Sequence, residues 1–98
     1  MRWQLDDDGF LADDQGRRVD ESQTMEFKES LAQGTQSEAI KAMVAFANGQ
    51  GGRVFFGVKD NGRARGVHIG GNTLEQLANR IKDHTYPTLP VFVDDPFQ

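Results

Sequence analysis

Three acids and a set of cations stand in a pattern that suits phosphate chemistry. Glu21 and Glu26 lie five residues apart in E-S-Q-T-M-E-F-K, and Asp60 follows the apolar run V-F-F-G-V-K-D. Hard carboxylate oxygens of this kind hold Mg²⁺ or Mn²⁺, and such an ion polarises a phosphodiester and activates water. Lys28 is then placed to neutralise charge that develops on the phosphate. Glu21, Glu26 and Asp60, with Lys28, form the candidate catalytic set, and the three acids are the candidate metal ligands. Mg²⁺ or Mn²⁺ is expected only with that chemistry; otherwise no cofactor is. An odd offset along one strand sends Glu21 and Glu26 to opposite faces, so a shared site requires the chain to bend at Ser22–Gln23. The plainer alternative leaves Glu21 solvated, pairs Glu26 with Lys28 on an exposed face, and makes Asp60 a turn former. The balance lies with this alternative, and so against an enzyme.

The cations suit binding without chemistry. Arg53, Lys59, Arg63 and Arg65 crowd one expected hairpin, Arg80 and Lys82 fall on the last helical stretch, and Lys28 completes the candidate nucleic-acid-binding set. Contacts from such residues to phosphates give salt-dependent affinity with little sequence preference. Charged edge strands that keep a sheet from pairing would look similar. The formal net charge is −4, but it is unevenly spread. Residues 1–29 hold nine acids against four bases, and residues 41–84 hold seven bases against three acids. A local basic patch on an acidic chain is compatible with that asymmetry.

Several classes are excluded. With no cysteine there is no disulfide, thiolate metal site or thiol nucleophile. No apolar run approaches the roughly 20 residues of a membrane helix, and the polar, acidic start is no secretory signal. A cytoplasmic protein without membrane contact is expected. Asn48-Gly49-Gln50-Gly51-Gly52 follows a helical pattern and lacks the G-K-[ST] ending of a phosphate loop. The Asp runs lack the calcium-loop spacing, and His68 and His84 have no third His for zinc.

The 98 residues make one modest domain. Met25 and Phe27 alternate with Glu26 and Lys28 as a strand does. Thr35 and Glu38 read as a capping box, T-x-x-E, before a helix carrying Ile40, Met43, Val44, Ala47 and, at its edge, Phe46. Asn48-Gly49 offers a left-handed helix end. Arg53–Val58 is an apolar strand, Asn61-Gly62 a hairpin turn, and Arg65–Ile69 its antiparallel partner. Thr73 caps a helix with Leu74, Leu77, Ala78 and Ile81 on one face. Pro87 and Pro90 force an extended path to a last strand, Val91–Val93. Upstream, Trp3, Leu5, Phe10 and Leu11 surround Asp8-Gly9 as a hairpin or an acidic arm. The expected fold is α+β: a two-layer sandwich with a β-α-β-β-α-β core, a mixed or antiparallel sheet and two helices, plus the arm or hairpin. Phe46, Val54, Phe55 or Phe56, Leu77 and Ile81 should be buried together. Residues 1–19 form the acidic arm or hairpin and 20–98 the domain.

Glu21–Lys28, A-F-A-N-G-Q-G-G (Ala45–Gly52), V-F-F-G-V-K-D-N-G (Val54–Gly62) and R-G-V (Arg65–Val67) together resemble the AlbA-type nucleic-acid-binding domain of Schlafen proteins and bacterial transcriptional regulators. The resemblance covers about residues 20–93. It implies a domain that binds DNA or RNA, in bacterial members often ahead of a C-terminal helix-turn-helix region, so this chain is expected to be one domain of something longer. It also implies a second function, since some Schlafen proteins are metal-dependent endonucleases of structured RNA. Their three-carboxylate site matches Glu21, Glu26 and Asp60, although those nucleases carry two tandem copies of the fold. A protein interaction or oligomerisation module, including a homo-oligomer, stays open as the third reading.

Overall fold

The computed structural model describes residues 3–67, 69–83 and 85. Six elements run in the order β1 (Gln4–Leu5), β2 (Leu11–Ala12), β3 (Met25–Lys28), α1 (Gln33–Ala47), β4 (Arg53–Phe56) and α2 (Thr73–Asp83). The fold is α+β. Strands β1 and β2 pair antiparallel, so the acidic start is a hairpin. Strands β3 and β4 pair parallel, Glu26 beside Val54, Phe27 beside Phe55 and Lys28 beside Phe56. A parallel pair needs a long crossover, and α1 supplies it. The expected strand Val91–Val93, with Pro87, Pro90, His68 and His84, lies outside the described residues.

Each face of this β3–β4 ribbon is covered differently. Phe27 and Phe55 face the hairpin, where Leu11 and Val58 are buried and Trp3, Leu5 and Val19 pack around them. Phe56 faces the helices, against Ile40, Leu77 and Ile81, with Leu31 and Met43 at the margin. The expected single core is therefore two. Adjacent strand residues point to opposite sides, so Phe55 and Phe56 cannot share one cluster. Phe46 joins neither; its ring lies on Gly52, where an added Cβ would stand 2.6 Å from the ring and 2.8 Å from Thr24 O. Only a residue without a side chain fits that approach.

Four further expectations are corrected. Helix α1 starts at Gln33 behind Ala32, with no side-chain cap. Thr35 Oγ1 bonds Ser30 Oγ at 3.0 Å, and Glu38 is drawn to Lys28 at 3.2 Å, so the capping box does not form. At the other end Asn48 stays right-handed, and the left-handed residue is Gly51, whose N–H donates to Phe46 O at 2.8 Å. The antiparallel partner of β4 shrinks to a bridge between Val58 and Ala64. Beyond it Arg65 and Gly66 both donate to Gly57 O, at 2.7 and 3.0 Å, which curls the chain away from a ladder. Thr73 opens α2, as a helix-start signal, but its Oγ1 accepts from Gly70 N–H upstream at 2.8 Å.

Candidate nucleic-acid interface

The chain makes one reversal three times. Gly9 donates to Asp6 O and Asp6 to Phe10 O, at 2.9 and 2.8 Å; Gly16 to Asp13 O and Asp13 to Arg17 O, at 3.1 and 2.8 Å; Gly62 to Lys59 O and Lys59 to Arg63 O, at 2.8 and 2.9 Å. Each is a turn closed by a left-handed glycine, the bulged form of a three-residue hairpin loop. In the first two, the leading Asp carboxylate also accepts two backbone N–H groups: Asp6 Oδ1 from Asp8 and Phe10, Asp13 Oδ1 from Gln15 and Arg17. The acidic runs are thus turn formers. Their repeated D-D-x-G spacing, set beside K-D-N-G, was the signal that could have revealed this.

The third turn carries the candidate cations. It opens on Lys59 in place of an Asp, and Asn61 Oδ1 accepts from Arg63 N–H at 3.0 Å. Gly62 is buried, and a Cβ there would meet Val19 O at 3.3 Å, so the turn is anchored to the core while Lys59 and Arg63 stay exposed. Among the described residues neither has an ion-pair partner. Arg65, exposed nearby, pairs with Glu29 at 3.4 Å.

The remaining candidates are dispersed. Arg53 opens β4, so the strand separates it from Lys59, and its guanidinium lies 5.4 Å from the centre of the Trp3 ring, a cation–π distance. Lys82 is exposed on α2. Arg80 is half-buried and ties α2 to α1 through Ser37 Oγ at 2.7 Å and Gln36 Oε1 at 3.5 Å. Lys28 lies beneath α1, its side chain 18% exposed, between Glu26 at 3.4 Å and Glu38 at 3.2 Å. Burial pulls its pKa down, but Glu38 and Glu26 together outweigh burial and hold it above the usual lysine value.

The three acids do not fit a shared metal. The chain does bend at Ser22–Gln23, where Ser22 N–H donates to Met25 O at 3.0 Å. The bend returns Glu21 to the strand, yet its Oε1 accepts Phe27 N–H at 2.9 Å. Glu26 is held by Lys28 on the helix face, and Asp60 sits exposed in the turn beyond β4. Among the described residues no group of three or more His, Asp or Glu side chains is placed to hold an ion. One oxygen of Glu21 is held by a backbone donor and one of Glu26 by the lysine.

Arg18 stands outside the candidate set but organises the acidic turn. Its guanidinium holds Asp6 at 2.5 Å and Asp8 at 2.9 Å and lies 4.0 Å over the Phe10 ring. The hydrogen bond from Arg18, helped by Phe10 N–H, keeps the Asp6 carboxyl below its ordinary pKa, and the Asp6 contact raises that of Arg18.

The family model described as Schlafen, AlbA_2 matches residues 21–97. The chain belongs to this family. Within the Schlafen AlbA_2 domain the matched span takes in β3, α1, β4, the Lys59–Arg63 turn and α2, while the acidic hairpin precedes it. No curated protein and no solved structure matched the chain. Among the described residues no helix is long and apolar enough to cross a membrane.

Proposed function

We propose that this Schlafen AlbA_2 domain binds DNA or RNA through its phosphates and serves as the nucleic-acid-binding part of a cytoplasmic bacterial transcriptional regulator. Family membership supports the class of ligand. The observation that carries the choice of surface is the Lys59–Arg63 turn. Its backbone is anchored through the buried Gly62, and its two cations are exposed without an ion-pair partner among the described residues. An anchored backbone presents charge at little ordering cost, which favours phosphate contact. Arg65 joins the track by exchanging Glu29 for phosphate, and Arg53 and Lys82 contribute from outlying positions. Lys28 and Arg80 serve the fold on this reading, since their donors are already taken.

Fluorescence anisotropy with labelled single- and double-stranded DNA and RNA over a KCl series tests the reading. About three phosphate contacts give a slope of log affinity against log salt near −2 to −3. Arg63→Ala is expected to weaken binding to all sequences alike and to reduce the slope by about one. Absence of binding to any of the four ligands at low salt would overturn the proposal.

A further inference from the structure

The acidic turn Asp6–Gly9 and the basic turn Lys59–Arg63 are neighbours. Ala64 N–H donates to Gly9 O at 2.8 Å and Leu11 N–H to Gly62 O at 2.9 Å, and Phe10 and Arg63 form an antiparallel bridge. Arg63 Nε stands 4.0 Å from the place that a Cβ on Gly9 would take, so its side chain lies against the acidic turn. Arg18 already answers Asp6 and Asp8. Asp7 is exposed and has no ion pair among the described residues. The two turns and Arg18 together carry the cations Lys59, Arg63 and Arg18 and the acids Asp6, Asp7, Asp8 and Asp60. The surface offered to phosphate is thus close to neutral, with Asp7 its uncommitted acid on the hairpin side.

We infer that Asp7 is an affinity-limiting residue, an electrostatic guard that competes with phosphate for Arg63 and holds down binding to polyanions gripped by charge alone. The inference rests on the reading of Lys59 and Arg63 as phosphate contacts. A carboxylate fixed beside a phosphate-binding cation acts twice: it stabilises the unbound guanidinium and repels the incoming phosphate. Both effects work through water and are therefore screened by salt.

The second acidic turn provides a matched control. Asp14 holds the same second position in the equivalent turn at the far end of β2, is likewise exposed, and makes none of the turn-forming side-chain bonds, which belong to Asp13. Asp7→Asn and Asp14→Asn change the net charge equally and leave both turns their bonds. With a fluorescent single-stranded DNA or RNA oligonucleotide at low salt, Asp7→Asn is expected to tighten binding by about twofold to fivefold, the effect of one nearby charge in water. Asp14→Asn is expected to leave binding nearly unchanged. The gain should fade as KCl rises and vanish in an Arg63→Ala background, the sign of a direct coupling. Equal tightening by both variants, no change in either, or a gain that survives Arg63→Ala would overturn the inference while leaving phosphate binding intact. Absence of binding by all the proteins would overturn the reading beneath it as well.

Discussion

The two faces of the β3–β4 ribbon differ in what they bury. On the hairpin face Phe27, Phe55, Leu11 and Val58 meet with Trp3 and Val19. On the helix face Phe56, Ile40, Leu77 and Ile81 form a similar cluster, but Lys28 and Glu26 share the face, and Lys28 also reaches Glu38 on α1. The strand alternates as sequence reading expects; its polar side is simply not its solvent side. In a β-α-β unit the crossover helix covers one face whatever stands there, and charges under it must bring their own partners. The lesson concerns function as well. The lysine and the glutamate of β3 that read as site chemistry are paired with each other, with Glu38 as the lysine's second partner, and the exposed cations Lys59 and Arg63 lie beyond the ribbon.

Truncation on either side should break the comparison most visibly. Phe27→Ala opens a cavity in the apolar face and is expected to cost about 3–5 kcal/mol, with Leu77→Ala on the other face costing about 2–5 kcal/mol. Urea unfolding measures both, and a loss under about 1 kcal/mol at Phe27 would mean that the hairpin is not part of the core.

A smaller effect sharpens the difference between the faces. Lys28→Met keeps the apolar stem and removes the ammonium from between Glu26 and Glu38, at an expected cost of about 1 kcal/mol at neutral pH. Because the folded pKa is raised, the stabilisation is fully present below the unfolded value of 10.5 and is lost as pH rises through the higher folded one. The stability gap between wild type and Lys28→Met should therefore close at alkaline pH. A gap that is constant with pH would assign Lys28 a packing role alone.

The smallest effect falls on the hairpin side, in the turn outside its core. Asp6 has a folded pKa below its ordinary 3.8, so its contribution is complete above the unfolded value and is lost as pH falls through the folded one. Asp6→Asn should lower the neutral plateau of a thermal-melt series slightly and converge with wild type as pH falls through the folded value, which flattens the acid limb. An unchanged acid limb would show that Arg18 does not hold Asp6 in solution.

Turn chemistry, helix α2 and the alternation of β3 were legible in the sequence because each depends on neighbours a few residues away. The D-G and N-G dipeptides demand a left-handed glycine, and Leu77 and Ile81 lie one helical turn apart on a buried face. The resemblance was legible too, since its motifs are these same local segments, and the family match bears it out. Other outcomes depended on residues far apart in the chain. The hairpin covered the second face of the β3–β4 ribbon and so gave Phe55 a core apart from that of Phe56, and α1 brought Glu38 onto Lys28. The hairpin carried Asp7 to the border of the basic turn. The E-x-x-x-x-E spacing offered carboxylates, but spacing cannot say which donor reaches them first. Phe27 N–H took Glu21 and Lys28 took Glu26, because a backbone or ammonium donor brought close by the fold competes directly for the same lone pairs. That competition is decided only when the chain has closed in three dimensions.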